Sequence, residues 1–394
     1  MAIDYAGSRR TGVRRRRSEL AEATSFVRRL DLVLLGAVGA LVVYGLWAIA
    51  GITQNDVTGD SSLFVVRQGV FAAVGAVGLA GAALVDPDLY RRYHRPIYIG
   101  TTGLMLFVFL AAPLTRGSRR WIDLGFFRFQ PSEFGKLLFV LALAGFLAQN
   151  GRRLGEVRTT LTTLGLAAVP IMLVFIQPDF GTALVYAAAL AAVLFVAGTR
   201  WTHFAALGAI TLLGSLTVLW FLPSAGVHLL KPYQQQRLVG FTNPTSDPSG
   251  ATYNANQSRI AVGAGRVQGR GVQGATQTRL DYLPEHATDF VFASFAEQRG
   301  FVGASVLLLL YLLVVWRGLR IVALARDSFT AIAAGGIVIA FLFQVFVNVG
   351  MTMGIAPITG IPLPFVSVGG SSMIANLTAV GVLLAIHARA RAQR

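Results

Sequence analysis

Asp289 closes the segment Leu283-Pro284-Glu285-His286-Ala287-Thr288-Asp289-Phe290 and opens an apolar run, which sets a carboxylate at a boundary between polar and apolar chain beside His286 and Glu285. A carboxylate partly removed from water there has the character of a general base; capping the helix that follows is the simpler role. Glu133 and Lys136 stand three residues apart within another apolar run. On a helix they share a face, and ionisable groups in such a run need partners or a polar cavity. Arg67 lies about one turn into a third run, where snorkelling to the interface is the alternative. Asp179, in Gln177-Pro178-Asp179, falls at a turn where it is first of all a helix cap. Arg116, Arg119, Arg120 and Arg128 precede one apolar run, and Arg237, Arg259, Arg266, Arg270 and Arg279 lie in a long polar segment. Clusters of this kind suit a phosphate or carboxylate ligand, with lipid headgroups or nearby acids as the other reading.

The elements that must hold these residues are membrane helices. Of 394 residues, 54% are apolar and 13% charged, and the mean hydropathy is +0.62, against about 25% charged in soluble proteins. A span takes about 20 apolar residues. Ten candidate runs are present: 30–52, 63–85, 97–114, 131–148, 159–176, 181–199, 203–222, 290–315, 329–351 and 371–387. The first is too long for a signal-peptide core. The expected fold is an all-α polytopic membrane protein of about ten transmembrane helices, with a long extracytoplasmic loop between helices 7 and 8. Its parts are a basic cytoplasmic tail (1–29), helices 1–7 (30–222), the loop (223–289), and helices 8–10 with a short cytoplasmic tail (290–394).

The net charge of +16 raises nucleic acid as a partner, but arginines in alternate loops account for it by the positive-inside rule, and no nucleic acid is expected. The same alternation puts both termini in the cytoplasm and the candidate acids, bases and cations on the outer face. There, chemistry has no access to cytoplasmic ATP and must use energy already in its substrate. Cys 0 removes thiolate chemistry. His94, His203, His228, His286 and His387 lack zinc-ligand spacing. The glycines from Gly263 to Gly274 form no nucleotide fingerprint. The loop is expected to rest against the helices.

Six motifs resemble the SEDS (shape, elongation, division and sporulation) family. They are Arg120-Trp121-Ile122-Asp123-Leu124-Gly125; Phe129-Gln130-Pro131-Ser132-Glu133 with Lys136; Gln177-Pro178-Asp179-Phe180-Gly181-Thr182; Asp247-Pro248-Ser249-Gly250 with Gln257-Ser258; Leu283-Pro284-Glu285 with Thr288-Asp289-Phe290; and Gly360-Ile361-Pro362-Leu363-Pro364-Phe365 with Ser367 and Gly369 to Ser372. Gly274-Ala275-Thr276-Gln277 leading to Leu280 is closer to the elongation branch than to the division branch. The chain departs from the pattern at Ala287, where histidine is usual, and at Val368, where tyrosine is common.

The resemblance implies a peptidoglycan glycosyltransferase that polymerises lipid II at the outer face of the cytoplasmic membrane and releases undecaprenyl pyrophosphate. It implies Asp289 as the catalytic base, Glu133 and Lys136 as residues positioning it or the diphosphate, and Arg67, Arg120, Asp179, Gln257 and Thr276 as further substrate contacts. Outer arginines would neutralise the leaving group. A divalent cation such as Mg2+ or Mn2+ bridging pyrophosphate to a carboxylate fits that chemistry, with no ligand set named. Implied partners are a class B penicillin-binding protein for crosslinking and the membrane proteins of the elongation complex. A lipid II flippase, a division-specific polymerase and a non-catalytic scaffold are the competing readings.

Overall fold

A computed structural model describes residues 29–54, 56, 60–113, 118–125, 127–224, 226 and 251–392. Arg9 to Arg28, Arg116, Arg237, Arg394 and the Asp247 to Gly250 motif lie outside the described residues. Ten long helices follow the apolar runs: α1 Leu32–Ile52, α2 Leu63–Leu84, short α3 Pro87–Arg92, α4 His94–Ala111, α5 Pro131–Gln149, α6 Val157–Ile176, α7 Phe180–Ala197 and α8 Trp201–Leu216, which continues through a π-turn to Ser224. Short helices α9 Ala251–Ala264, α10 Gly271–Gly274 and α11 Thr276–Arg279 then lead to α12 Val291–Leu324, α13 Ser328–Met353 and α14 Gly370–Ala392. Among the described residues, nine helices are long and apolar enough to cross a membrane. The tenth, α4, opens with His94-Arg95-Pro96 and is less apolar.

Polar caps set the boundaries. The carboxylates of Asp31, Asp86, Asp179 and Asp327 accept from the first-turn amides of α1, α3, α7 and α13, which satisfies donors that the helix leaves open. Gly198 and Gly354 end α7 and α13 at positive φ, as left-handed C-caps do. With no water between helices in a membrane, close packing holds the bundle. α14 lies in its most extensive contact along α2, where a Cβ on Gly381 would meet the Leu79 carbonyl oxygen at 2.3 Å. α8 has no buried residue. It is tied to the bundle near its start, where Trp201 and Phe204 pack on Phe195.

The span expected at 290–315 is instead a helix to Leu324 broken at Gly300 (φ 65, ψ −166). The break has a partner. Phe301 and Val302 donate their amides to the carbonyls of Arg266 and Val267 at 2.8 and 3.1 Å, and a Cβ on Gly300 would meet the Gly269 nitrogen at 2.2 Å. The chain after α9 thus supplies acceptors that the helix lost. In this way residues 251–289 rest on α12 and α13.

Candidate active site

The stretch 283–290 carries Asp289 on a turn instead of a helix, and its backbone is fixed from two sides. Asn348 Nδ2 donates to the Asp289 carbonyl at 2.9 Å and to the Ile361 carbonyl at 2.8 Å. The Ser367 hydroxyl donates to the Thr288 carbonyl at 2.6 Å, and the Val368 amide donates to Ala287 O at 2.9 Å. Gln68 holds the far end of this second segment, donating to Ser367 O and accepting from the Gly369 amide. Irregular backbone from Gly354 to Gly369 is tolerable inside a membrane bundle because protein covers it. Gly360 (φ +73) is close enough that an added Cβ would lie 3.4 Å from Asp289 Oδ2.

Both ring nitrogens of His286 are engaged by other groups. Its Nδ1 meets the Leu283 carbonyl at 3.1 Å and its Nε2 the Asp56 carboxylate at 3.0 Å. Both partners are acceptors, so both nitrogens donate, which only the charged ring can do. Burial pulls its pKa down, but hydrogen bonding and charge from Asp56 outweigh burial and raise it above 6.5. The histidine beside the departure at Ala287 is thus a structural tie to the chain after α1.

Beside Asp289 a cavity of about 890 Å³ opens at one end of the bundle. Arg67, Arg120, Asp179, Glu133 and Asp289 all line it. Its wall includes the hairpin that pairs Ile122 with Phe129 and Asp123 with Arg128. Arg120 stacks on Trp121 with its guanidinium carbon 4.1 Å from the ring centroid and reaches Asp179 at 3.5 Å. Gln130 Nε2 donates to Asp179 at 2.8 Å, so Asp179 both caps α7 and orients groups facing the cavity. On the floor, Lys136 Nζ lies 2.8 Å from Glu133 and 2.9 Å from Gln344 Oε1, all buried. Glu133 reaches the cavity; Lys136 sits one layer behind it.

Besides Lys136, two expected contacts are not brought to this cavity. Gln257 lies on α9, which packs on α12 and α13, and Thr276 opens α11, whose following amides turn toward Glu297. Neither residue is in the cavity lining. Glu297 was missed by the sequence reading. It is fully buried and accepts from the amides of Gln277 and Thr278 and from the Thr278 hydroxyl. Asn348 was also missed, and Gln130 and Ser367 stood in the motifs without a role. The signal for Glu297 and Asn348 was the one that marked Glu133: a polar side chain inside an apolar run.

Among the described residues no three acidic or histidine side chains gather as a metal cage. Carboxylates of the lining are largely engaged: Glu133 by Lys136, Asp179 by Arg120 and Gln130, Asp123 by Arg128 at 3.7 Å. A divalent ion that takes most of its oxygens from a bound diphosphate needs only one or two protein carboxylates; Asp289 and Glu285 also lie on the cavity wall.

These features define a class: a multi-pass helical membrane protein with a polar cavity at one bundle end, lined by arginines and a backbone-pinned aspartate. The model of the FtsW, RodA and SpoVE family, described as cell cycle protein, matches residues 27–392, and the chain belongs to that family. It is 36% identical to the peptidoglycan glycosyltransferase MrdB of Escherichia coli K12 over 91% of this chain and 93% of the relative. It is likewise 36% identical to the stage V sporulation protein E of Bacillus subtilis, over 91% of this chain and 95% of the relative. Among solved structures, a chain of a peptidoglycan synthase complex that coordinates polymerization and crosslinking is 30% identical, with a TM-score of 0.77 over 93% of this chain and 99% of that one. The crystal structure of Thermus thermophilus RodA is 27% identical, with a TM-score of 0.67 over 91% and 96% of the two chains.

Proposed function

We propose that this protein is a peptidoglycan glycosyltransferase of the RodA type, polymerising lipid II into glycan strands during cell elongation. The observation that carries the reading is Asp289, held by its backbone at the wall of a cavity that also presents Arg67 and Arg120. In the reaction, the acceptor sugar hydroxyl attacks the anomeric carbon of the donor. Asp289 takes the hydroxyl proton, and the bond from that carbon to the diphosphate breaks, leaving its electron pair on undecaprenyl pyrophosphate. Arginines on the wall meet the charge that develops on the leaving group. Lys136 pairs with the buried Glu133 carboxylate and fixes it at the floor. A divalent cation, when held by Asp289 and the diphosphate, would add Lewis-acid neutralisation of the same charge.

Arginine alternation in the loops supports cytoplasmic termini and an extracytoplasmic cavity. That side suits a reaction driven by the glycosyl-diphosphate bond. A class B penicillin-binding protein is the proposed crosslinking partner, within a membrane assembly for elongation; the similarity to a chain of a peptidoglycan synthase complex supports this. Beneath Lys136 and Gln344 the interior turns apolar, with Leu137, Val140, Ile337, Phe341 and Leu383, which favours chemistry at one end over a polar path for flipping lipid. The test is incubation of the purified protein, alone and with its partner, with labelled lipid II and Mg2+ or Mn2+. The proposal expects glycan polymers; transfer of lipid II across vesicle bilayers with no polymer formed would favour the flippase.

A further inference from the structure

At the bundle end away from the cavity lies a second polar site. α14 starts at Gly370 in the cavity wall and, at about 1.5 Å per residue, carries its last arginine about 30 Å away, the depth of a hydrocarbon core. There a pocket of about 190 Å³ is lined by Arg317, Arg320, His387 and Arg391, with Leu324 and Ala390. At roughly 30 Å³ per water, that is room for about six waters.

The charge in this pocket is unbalanced. Asp31 pairs with Arg317 and lies 3.8 Å from His387 Nδ1, while Arg389 on the same helix turns to Asp86 and Asp88. Among the described residues, Arg320 and Arg391 make no ion pair. His387 is only 2% exposed, and neither of its ring nitrogens has a hydrogen-bond partner. A buried imidazole left unsatisfied among guanidinium groups is costly unless an acceptor completes it. Exposed Trp316 and Leu319 flank Arg317 and Arg320, so an apolar chain has a surface to follow out of the pocket.

We infer that this pocket binds a phosphate-bearing anion, either the phosphodiester of an anionic lipid headgroup or a soluble phosphate. Guanidinium forks match phosphate oxygens, and basic pockets between membrane helices are suited to such headgroups. The inference does not depend on the reaction proposed above, because the two sites sit at opposite ends of α14.

The test uses the full-length protein in detergent, with bound lipid counted by native mass spectrometry after addition of phosphatidylglycerol or phosphatidylcholine, and with thermal unfolding followed in inorganic phosphate. Wild type should retain phosphatidylglycerol over phosphatidylcholine if a lipid is the ligand. It should instead gain thermal stability in phosphate, without lipid preference, if the ligand is soluble. In either case Arg320→Gln with Arg391→Gln should weaken binding about 30-fold, and Arg320→Lys with Arg391→Lys, which keeps the charge without the fork, should restore only part of it. Arg152→Gln with Arg153→Gln, on an exposed turn elsewhere, should change little. Equal retention of both lipids with no response to phosphate would overturn the inference. An equal loss in the Arg152/Arg153 variant would also overturn it, since binding would then follow diffuse charge and not this pocket.

Discussion

Glu133 and Lys136 illustrate how a buried pair behaves when one partner is lost. Both are nearly inaccessible, so Lys136→Met leaves an uncompensated carboxylate and should destabilise the protein by about 3–5 kcal/mol. Combining it with Glu133→Gln should recover most of that in thermal unfolding. Strict additivity of the two losses would contradict the pairing. Asp179 separates two roles. Asp179→Asn keeps a side chain able to cap α7 and should unfold near the wild-type temperature while losing the Arg120 contact and glycan synthesis. Asp179→Ala should cost about 1 kcal/mol more. At His286 the raised pKa sets the sign. The charged tie to Asp56 contributes fully below about 6.5, the ordinary value, and is lost as pH rises through the higher folded value. The stability gap between wild type and His286→Gln should therefore shrink as pH is raised. A gap that widens would show the tie forms through the neutral ring. Asp289, Glu133 and Lys136 were legible as ionisable residues inside or beside apolar runs. That Asn348 and Ser367 hold the Asp289 segment was not, because they reach it from 59 and 79 positions away, and spacing carries no information on such contacts.

At the scale of elements, the Gly354 to Gly369 stretch is the platform for Asp289. A Cβ added at Gly360 would meet Asp289 Oδ2 in ordinary contact at 3.4 Å, and the residue sits at φ +73. Gly360→Ala should cost about 1–2 kcal/mol from backbone strain and displace the carboxylate. Activity should then fall more than stability, which parallel unfolding and polymerisation assays would separate. Unchanged activity would mean that the platform does not set the carboxylate. Hydropathy located every long helix, most to within a few residues though α12 runs nine past its expected end, since long apolar stretches in a membrane protein have few other fates. It did not locate the break at Gly300. A glycine in an apolar run reads as helix packing, and the amide acceptors that make the break tolerable come from Arg266 and Val267, in a segment read as loop. Gln257 and Thr276 were placed in the site by family resemblance alone. α9 and α11 turn their contacts toward α12, α13 and Glu297, and neither residue lines the cavity.

Over the whole molecule, polar groups concentrate at the two ends of the bundle and the layer between them is apolar. One end gathers the cavity with Arg67, Arg120 and Asp289; the other gathers Asp31, Arg317 and His387. This division suits a reaction carried out at one membrane surface on a lipid-linked substrate whose tail stays in the bilayer. The most direct measurement of that account is glycan synthesis from labelled lipid II by the partner-bound protein, comparing wild type with Asp289→Asn, which removes the charge and keeps the shape. The account predicts a folded, partner-bound variant that still retains lipid II and makes no glycan. Equal polymer from both proteins would contradict it.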